Sequence, residues 1–197
     1  MTLKKIMMFL NKFKLLFILC LIVFSVEAQD NMTPEKLPFY EIPEAPETYT
    51  AGTVAARMID GLGFRYFWAT EGLTEKDLNH KCSESGRTSA ETIEHIYGLS
   101  KFIRNAVLSH DKDLNQEVLS FEEQRKQTLL NLKLVSDMLR NTDKPLVLED
   151  TEVSFWNIIN GPIADATWHC GQIVMLRRAS GNPFNSKVSV FAGKLKA

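Results

Sequence analysis

Four stretches of this 197-residue chain repeat their apolar residues at helical spacing, and two of them open on a capping box. Such a chain has to bury one face of each helix against the others. In residues 53–70, Val54, Met58 and Leu62 recur at i, i+4 and i+8, which lines one helix face. Gly61 and Gly63 interrupt it, each at about 1 kcal/mol against alanine, and mark a close contact or a local irregularity. Thr88 with Glu91 forms the first capping box and opens a helix through about Leu108, with Ile93, Ile96, Ile103 and Val107 as its core stripe. Ser120 with Glu123 forms the second and opens a helix to about Asn141. Leu132, Val135 and Leu139, flanked by Leu130, Leu134 and Met138, give that helix a broad apolar face. A fourth helix covers about residues 155–179. Asn160-Gly161-Pro162 interrupts it, so the spacing predicts a kink or a true helix start near Pro162. Gly181-Asn182-Pro183 stops it, with Arg177 and Arg178 placed to favour its C-terminal dipole. The expected fold class is all-α, a four-helix bundle over residues 50–197. Handedness and helix order do not follow from pattern. Asp143, Pro145 and Glu149-Asp150 make the third connection longer than a minimal hairpin.

The two ends read differently. Lys4, Lys5, Lys12 and Lys14 precede an apolar run over 15–26, and Val26-Glu27-Ala28 offers small residues at a cleavage site before Gln29. A basic region, a short apolar region and an A-x-A-like end make residues 1–28 a signal peptide, so export to a periplasmic or secreted location is expected. The alternatives are an uncleaved anchor or a buried helix. Against the anchor, a 12-residue helix reaches roughly 18 Å where a bilayer core needs about 30 Å. Residues 29–49 hold Pro34, Pro38, Pro43 and Pro46 among acidic side chains, and read as an extended arm. Phe39, Tyr40 and Ile42 suit a docking role, and a solvated tether is the other reading. At the C-terminus, residues 187–191 alternate like a short strand through Val188 and Val190. A lone strand makes no sheet, so a packed extended tail is expected.

Charge narrows the function classes. The leader carries four Lys and one Glu, so its removal leaves 169 residues and takes the net charge from −1 to −4. That balance removes the electrostatic case for nucleic-acid binding, and no membrane association is expected after cleavage. Ser-His-Asp order, a P-loop and a dinucleotide-binding glycine pattern are all missing. Cys82 and Cys170 remain in the mature chain, and whether they pair is open.

The chemistry-bearing residues gather on the second and fourth helices. Asp165, His169 and Gln172 lie at i, i+4 and i+7, on one stripe of the fourth helix, while Ile163, Ala166, Cys170, Ile173 and Val174 lie toward another. Side chains four apart have Cβ atoms about 5–6 Å apart, a bite that lets a carboxylate and an imidazole hold one cation. His95 sits beside the core stripe of the second helix, so facing helices would make it a third ligand. The plainer reading is a hydrogen-bonded Asp–His pair and a boundary histidine. His80 and His110 lie among polar loop residues and are weak candidates.

The run Ala164-Asp165-Ala166-Thr167-Trp168-His169-Cys170-Gly171-Gln172-Ile173, followed by Leu176-Arg177-Arg178, resembles the last-helix signature of the DinB/YfiT-like superfamily, with His169 two residues before Gly171. The segment around His95 resembles that family's other ligand segment, and residues 64–73 resemble the end of its first helix. The resemblance covers about residues 50–192. It implies a four-helix bundle holding a divalent metal by three side chains near one end, in a family of metal-dependent thiol transferases, isomerases or hydrolases. Asp165 departs from the family's frequent three-histidine set. Two His and one carboxylate still suit Zn²⁺, Ni²⁺, Fe²⁺ or Mn²⁺.

Two functional readings follow. In the first, His95, Asp165 and His169 bind a metal that activates a water or a substrate thiolate, and a small-molecule substrate is expected. Gln172 then holds a ligand or supports one, or is only a packing contact, and Asn160 and Trp168 line the mouth, Trp168 having a core role as its alternative. In the second, the same residues serve a non-catalytic metal- or ligand-binding module of the cell envelope. A homodimer is compatible with both. A thiol reaction at Cys170 is disfavoured, because adjacent helix residues point about 100° apart and His169 turns away from it.

Overall fold

A computed structural model describes residues 36–108, 119–141 and 153–197. The leader, residues 29–35 of the arm, His110 and the connection carrying Asp143, Pro145 and Glu149-Asp150 lie outside the described residues. Helix α1 spans Ala51–Thr70, α2 Glu75–Leu78, α3 Ser89–Leu108 and α4 Phe121–Arg140. A short α5, Phe155–Ile158, runs through a π-helical turn, Ile159–Ile163, into α6, Ala164–Ser180. Strands β1, Val188–Ser189, and β2, Lys194–Leu195, pair antiparallel with Val188 opposite Leu195. Among the described residues the regular structure is helical apart from this two-residue ribbon.

Local chemistry explains where the helices begin and end. Thr88 Oγ1 accepts from the Glu91 N–H at 3.1 Å while the Glu91 carboxylate accepts from the Thr88 N–H at 2.7 Å. Ser120 and Glu123 repeat the arrangement at α4. The start of α1 carries a third reciprocal cap, between Thr50 and Thr53. At the other end of α6, Gly181 takes φ +97°. The Asn182 N–H then reaches the Arg177 carbonyl at 2.9 Å and the Gly181 N–H the Arg178 carbonyl at 3.2 Å, a Schellman closure. The Asn160-Gly161-Pro162 interruption is absorbed by the π turn, which carries Pro162 without breaking the path into α6.

Helix α1 packs against α4 and α6, and α3 packs against the same two helices. Ile59, Leu62, Phe64 and Tyr66 of α1 meet Ile93, Ile96 and Ile103 of α3, Leu129, Leu132, Val135 and Leu139 of α4, and Ile173 of α6 in one buried cluster. Two expected stripes need correction. Val54 and Met58 are exposed, at 48% and 38%. The inward face of α1 is instead Ala55, Ala56, Ile59, Asp60, Leu62 and Gly63. Beside Ile59 and Leu62 it carries small residues and one satisfied carboxylate, so a count of bulky apolar residues picks the neighbouring stripe. Asp60 is buried because Ser136 and Arg140 of α4 both donate to it. For the same reason Leu134 and Met138 of α4 face outward, and Thr128, Asn131 and Ser136 share the inward face with the leucines.

The arm is docked from residue 37 onward. Phe39 is 5% exposed and lies over Gly63, where an added Cβ would stand 2.5 Å from the ring. The missing side chain at Gly63 therefore admits an aromatic ring from the arm. Trp68 Nε1 donates to the Tyr40 carbonyl at 3.1 Å, and the Ile42 N–H donates to the Gly193 carbonyl at 2.8 Å. Gly193, at φ +69°, closes the tail back on itself. The expected packed extended tail is thus a small hairpin tied to the arm, with Val190 42% exposed.

The C-terminus of α1 is capped from elsewhere in the fold. Arg177 is buried and donates to the Trp68 and Ala69 carbonyls at 3.1 and 3.0 Å. Arg125 of α4 donates to Thr70 Oγ1 at 2.9 Å and pairs with Glu71. These contacts satisfy carbonyls that a helix end leaves open. Arg177 acts on its neighbour as well as on the turn that ends its own helix. Among the described residues no helix is long and apolar enough to cross a membrane.

Candidate metal centre

His95 rises from the second turn of α3, and Asp165 and His169 from the first two turns of α6. Because α3 and α6 pack together, the three side chains meet. His95 Nε2 is 3.0 Å from Asp165 Oδ2, and His169 Nε2 is 3.3 Å from Asp165 Oδ1. The two imidazoles stand edge to face, with centroids 4.6 Å apart. One donor atom from each residue lies within 4.8 Å of the others.

These residues fit a divalent cation on two grounds. Bonds of about 2.0–2.1 Å at tetrahedral angles separate ligand atoms by about 3.3 Å, close to the spacings between the carboxylate oxygens and the ring nitrogens. The donor set also matches. His169 Nδ1 lies 2.8 Å from Gln172 Oε1, an acceptor, so Nδ1 carries a proton, and the neutral tautomer has its lone pair on Nε2, toward Asp165. A neutral His169 then has no proton for the carboxylate, and either a second proton or a cation resolves that contact. Gln172 thus holds the His169 ring in the way that a supporting acceptor orients a metal-binding histidine.

The cluster opens on a cleft of about 860 Å³ that also borders Arg87, Thr92, Trp168 and Met175. Trp168 stands on its rim, 74% exposed, and is not a core residue. Asn160 is not brought to the cleft. It lies on the π turn and lines a separate hollow with Arg57 and Met58. His80 is half-buried and outside the cluster.

Met175 and Leu176 continue the stripe of Asp165, His169 and Gln172 by one turn, so helical spacing suffices to find them. Cys82 and Arg87 reach the cleft from the irregular segment before α3, where no periodicity points inward. Cys82 is exposed and Cys170 buried, and both are free. Burial pushes the Cys170 thiol up to about 12, which keeps it protonated and inert. No protein-family model, curated protein or solved structure matches the chain.

Proposed function

We propose that this chain is an exported DinB/YfiT-like four-helix bundle that binds a divalent metal through His95, Asp165 and His169 and acts as a metal-dependent transferase or hydrolase on a small molecule. One observation carries the reading: three ligand-type side chains from two helices converge within 4.8 Å at an open cleft. A metal bound there supplies a Lewis acid that lowers the pKa of water or holds a thiolate. The chain's own part is to hold His169 by Gln172, to leave the cleft side of the cluster open, and to present Trp168 and Met175 as an apolar rim.

A non-catalytic metal- or ligand-binding module is the second reading, favoured by one feature of the cleft. Apart from His95, Asp165 and His169, no histidine or carboxylate among the described residues lines it to move a proton; Cys82 and Arg87 are the other ionisable groups along it among those residues. The first test is the metal content of the purified protein and its melting temperature with added Zn²⁺ or Ni²⁺. The metal reading predicts bound metal near stoichiometric and a raised melting temperature, since a ligand of the native state alone must stabilise it. Neither metal nor shift would end both readings. A screen of metal-loaded protein against thiols, simple esters and amides then separates them: turnover that Asp165→Asn abolishes supports the enzyme, and binding without turnover supports the module.

A further inference from the structure

On the side of α6 turned away from His169, Cys170, Val174 and Arg178 help to wall a second, smaller hollow of about 290 Å³. Phe64 and Trp68 of α1 close one side, and Phe184 and Val188 of the tail close another. Its interior is therefore apolar and aromatic, as small-molecule sites generally are. Two arginines, Arg65 and Arg178, line the same hollow, and among the described residues no carboxylate does. Arg65 is tethered by a 2.8 Å hydrogen bond from Nη1 to the Gly61 carbonyl, which leaves its remaining donors uncommitted. Among the described residues neither arginine is ion-paired.

Two cations at the edge of an apolar cavity complement a molecule with one anionic end and one apolar end. A carboxylate suits them best, because guanidinium donors match its two oxygens in a planar fork. We propose that this hollow binds a small apolar carboxylate, its hydrocarbon part against Phe64, Trp68, Phe184 and Val188 and its carboxylate on Arg65 and Arg178. The site is separate from the metal cleft and does not depend on a metal being bound.

Calorimetric titration of EDTA-treated protein with octanoate, and in parallel with octanol, tests the assignment. The chelator removes any cation in the cleft that a carboxylate would otherwise ligate. Octanoate is expected to saturate with a Kd on the order of a millimolar or tighter, and octanol to bind at least about tenfold more weakly. Arg178→Gln, at an exposed position, should weaken octanoate by about tenfold and leave octanol unchanged. If Arg65→Gln perturbs folding, the octanoate–octanol comparison on the unaltered protein still decides. Three results would overturn the site: no saturable binding, equal affinity for the alcohol and the acid, or octanoate binding lost in His169→Ala but kept in Arg178→Gln.

Discussion

A neutral histidine has one N–H, and that accounting makes Gln172 the most informative neighbour of the His95–Asp165–His169 cluster. Its Oε1 accepts from His169 Nδ1, which leaves Nε2 as the ring nitrogen that faces Asp165. Gln172→Leu removes the acceptor and frees the ring. Zinc affinity measured by competition with a chelating dye should fall by about 10–100-fold while the circular dichroism stays unchanged; an unaltered affinity would make Gln172 a packing residue only. Asp77 makes a second residue-scale case, this one of stability. Burial pushes its carboxyl up, but hydrogen bonds from Asn182, Ser180 and Thr74 outweigh that and hold it well below the ordinary carboxylate range. The folded-state value is thus depressed below the unfolded one. Its stabilisation is fully present above the ordinary value near 3.8 and is lost as pH falls toward the folded value. Urea unfolding of Asp77→Asn should show a loss of about 1–3 kcal/mol at pH 7, narrowing toward wild type as the pH drops below that range. A difference independent of pH would assign the effect to packing.

Helix boundaries in this protein are legible because they are made by neighbours in sequence. Thr88 with Glu91, Ser120 with Glu123 and the Gly181 stop each use residues a few positions apart, and all appear where the sequence places them. The inner stripe of α3 was readable for the same reason, since Ile93, Ile96 and Ile103 are both bulky and buried. The stripe of α1 was not, because its inner face carries alanine, glycine and the satisfied Asp60. Gly63 shows what that face is for. Gly63→Ala would bring a Cβ against the Phe39 ring, and equilibrium unfolding should register a loss of about 1–3 kcal/mol. In a Phe39→Ala background the same change should become neutral or gain up to about 1 kcal/mol, the usual helical advantage of alanine over glycine. An equal loss in both backgrounds would mean that the arm is not what Gly63 accommodates.

Across the whole molecule, long-range contacts decide what the site is. Helical spacing places Asp165, His169 and Gln172 together, but only the packing of α3 on α6 brings in His95. Arg177 reaches α1, and Cys82 and Arg87 reach the cleft, through contacts that no local pattern encodes. Asn160 shows the converse: nearness in sequence suggests a place at the mouth of the cluster, and the π turn directs it to another hollow. In the proposed site, His95 of α3 and Asp165 and His169 of α6 share one cation. Isothermal titration of zinc into EDTA-stripped protein tests it most directly, using wild type, His95→Ala from α3 and His169→Ala from α6. One zinc per chain is expected in wild type, with that binding lost in either single variant and the fold retained. Undiminished stoichiometric binding in both variants, or none in wild type, would contradict it.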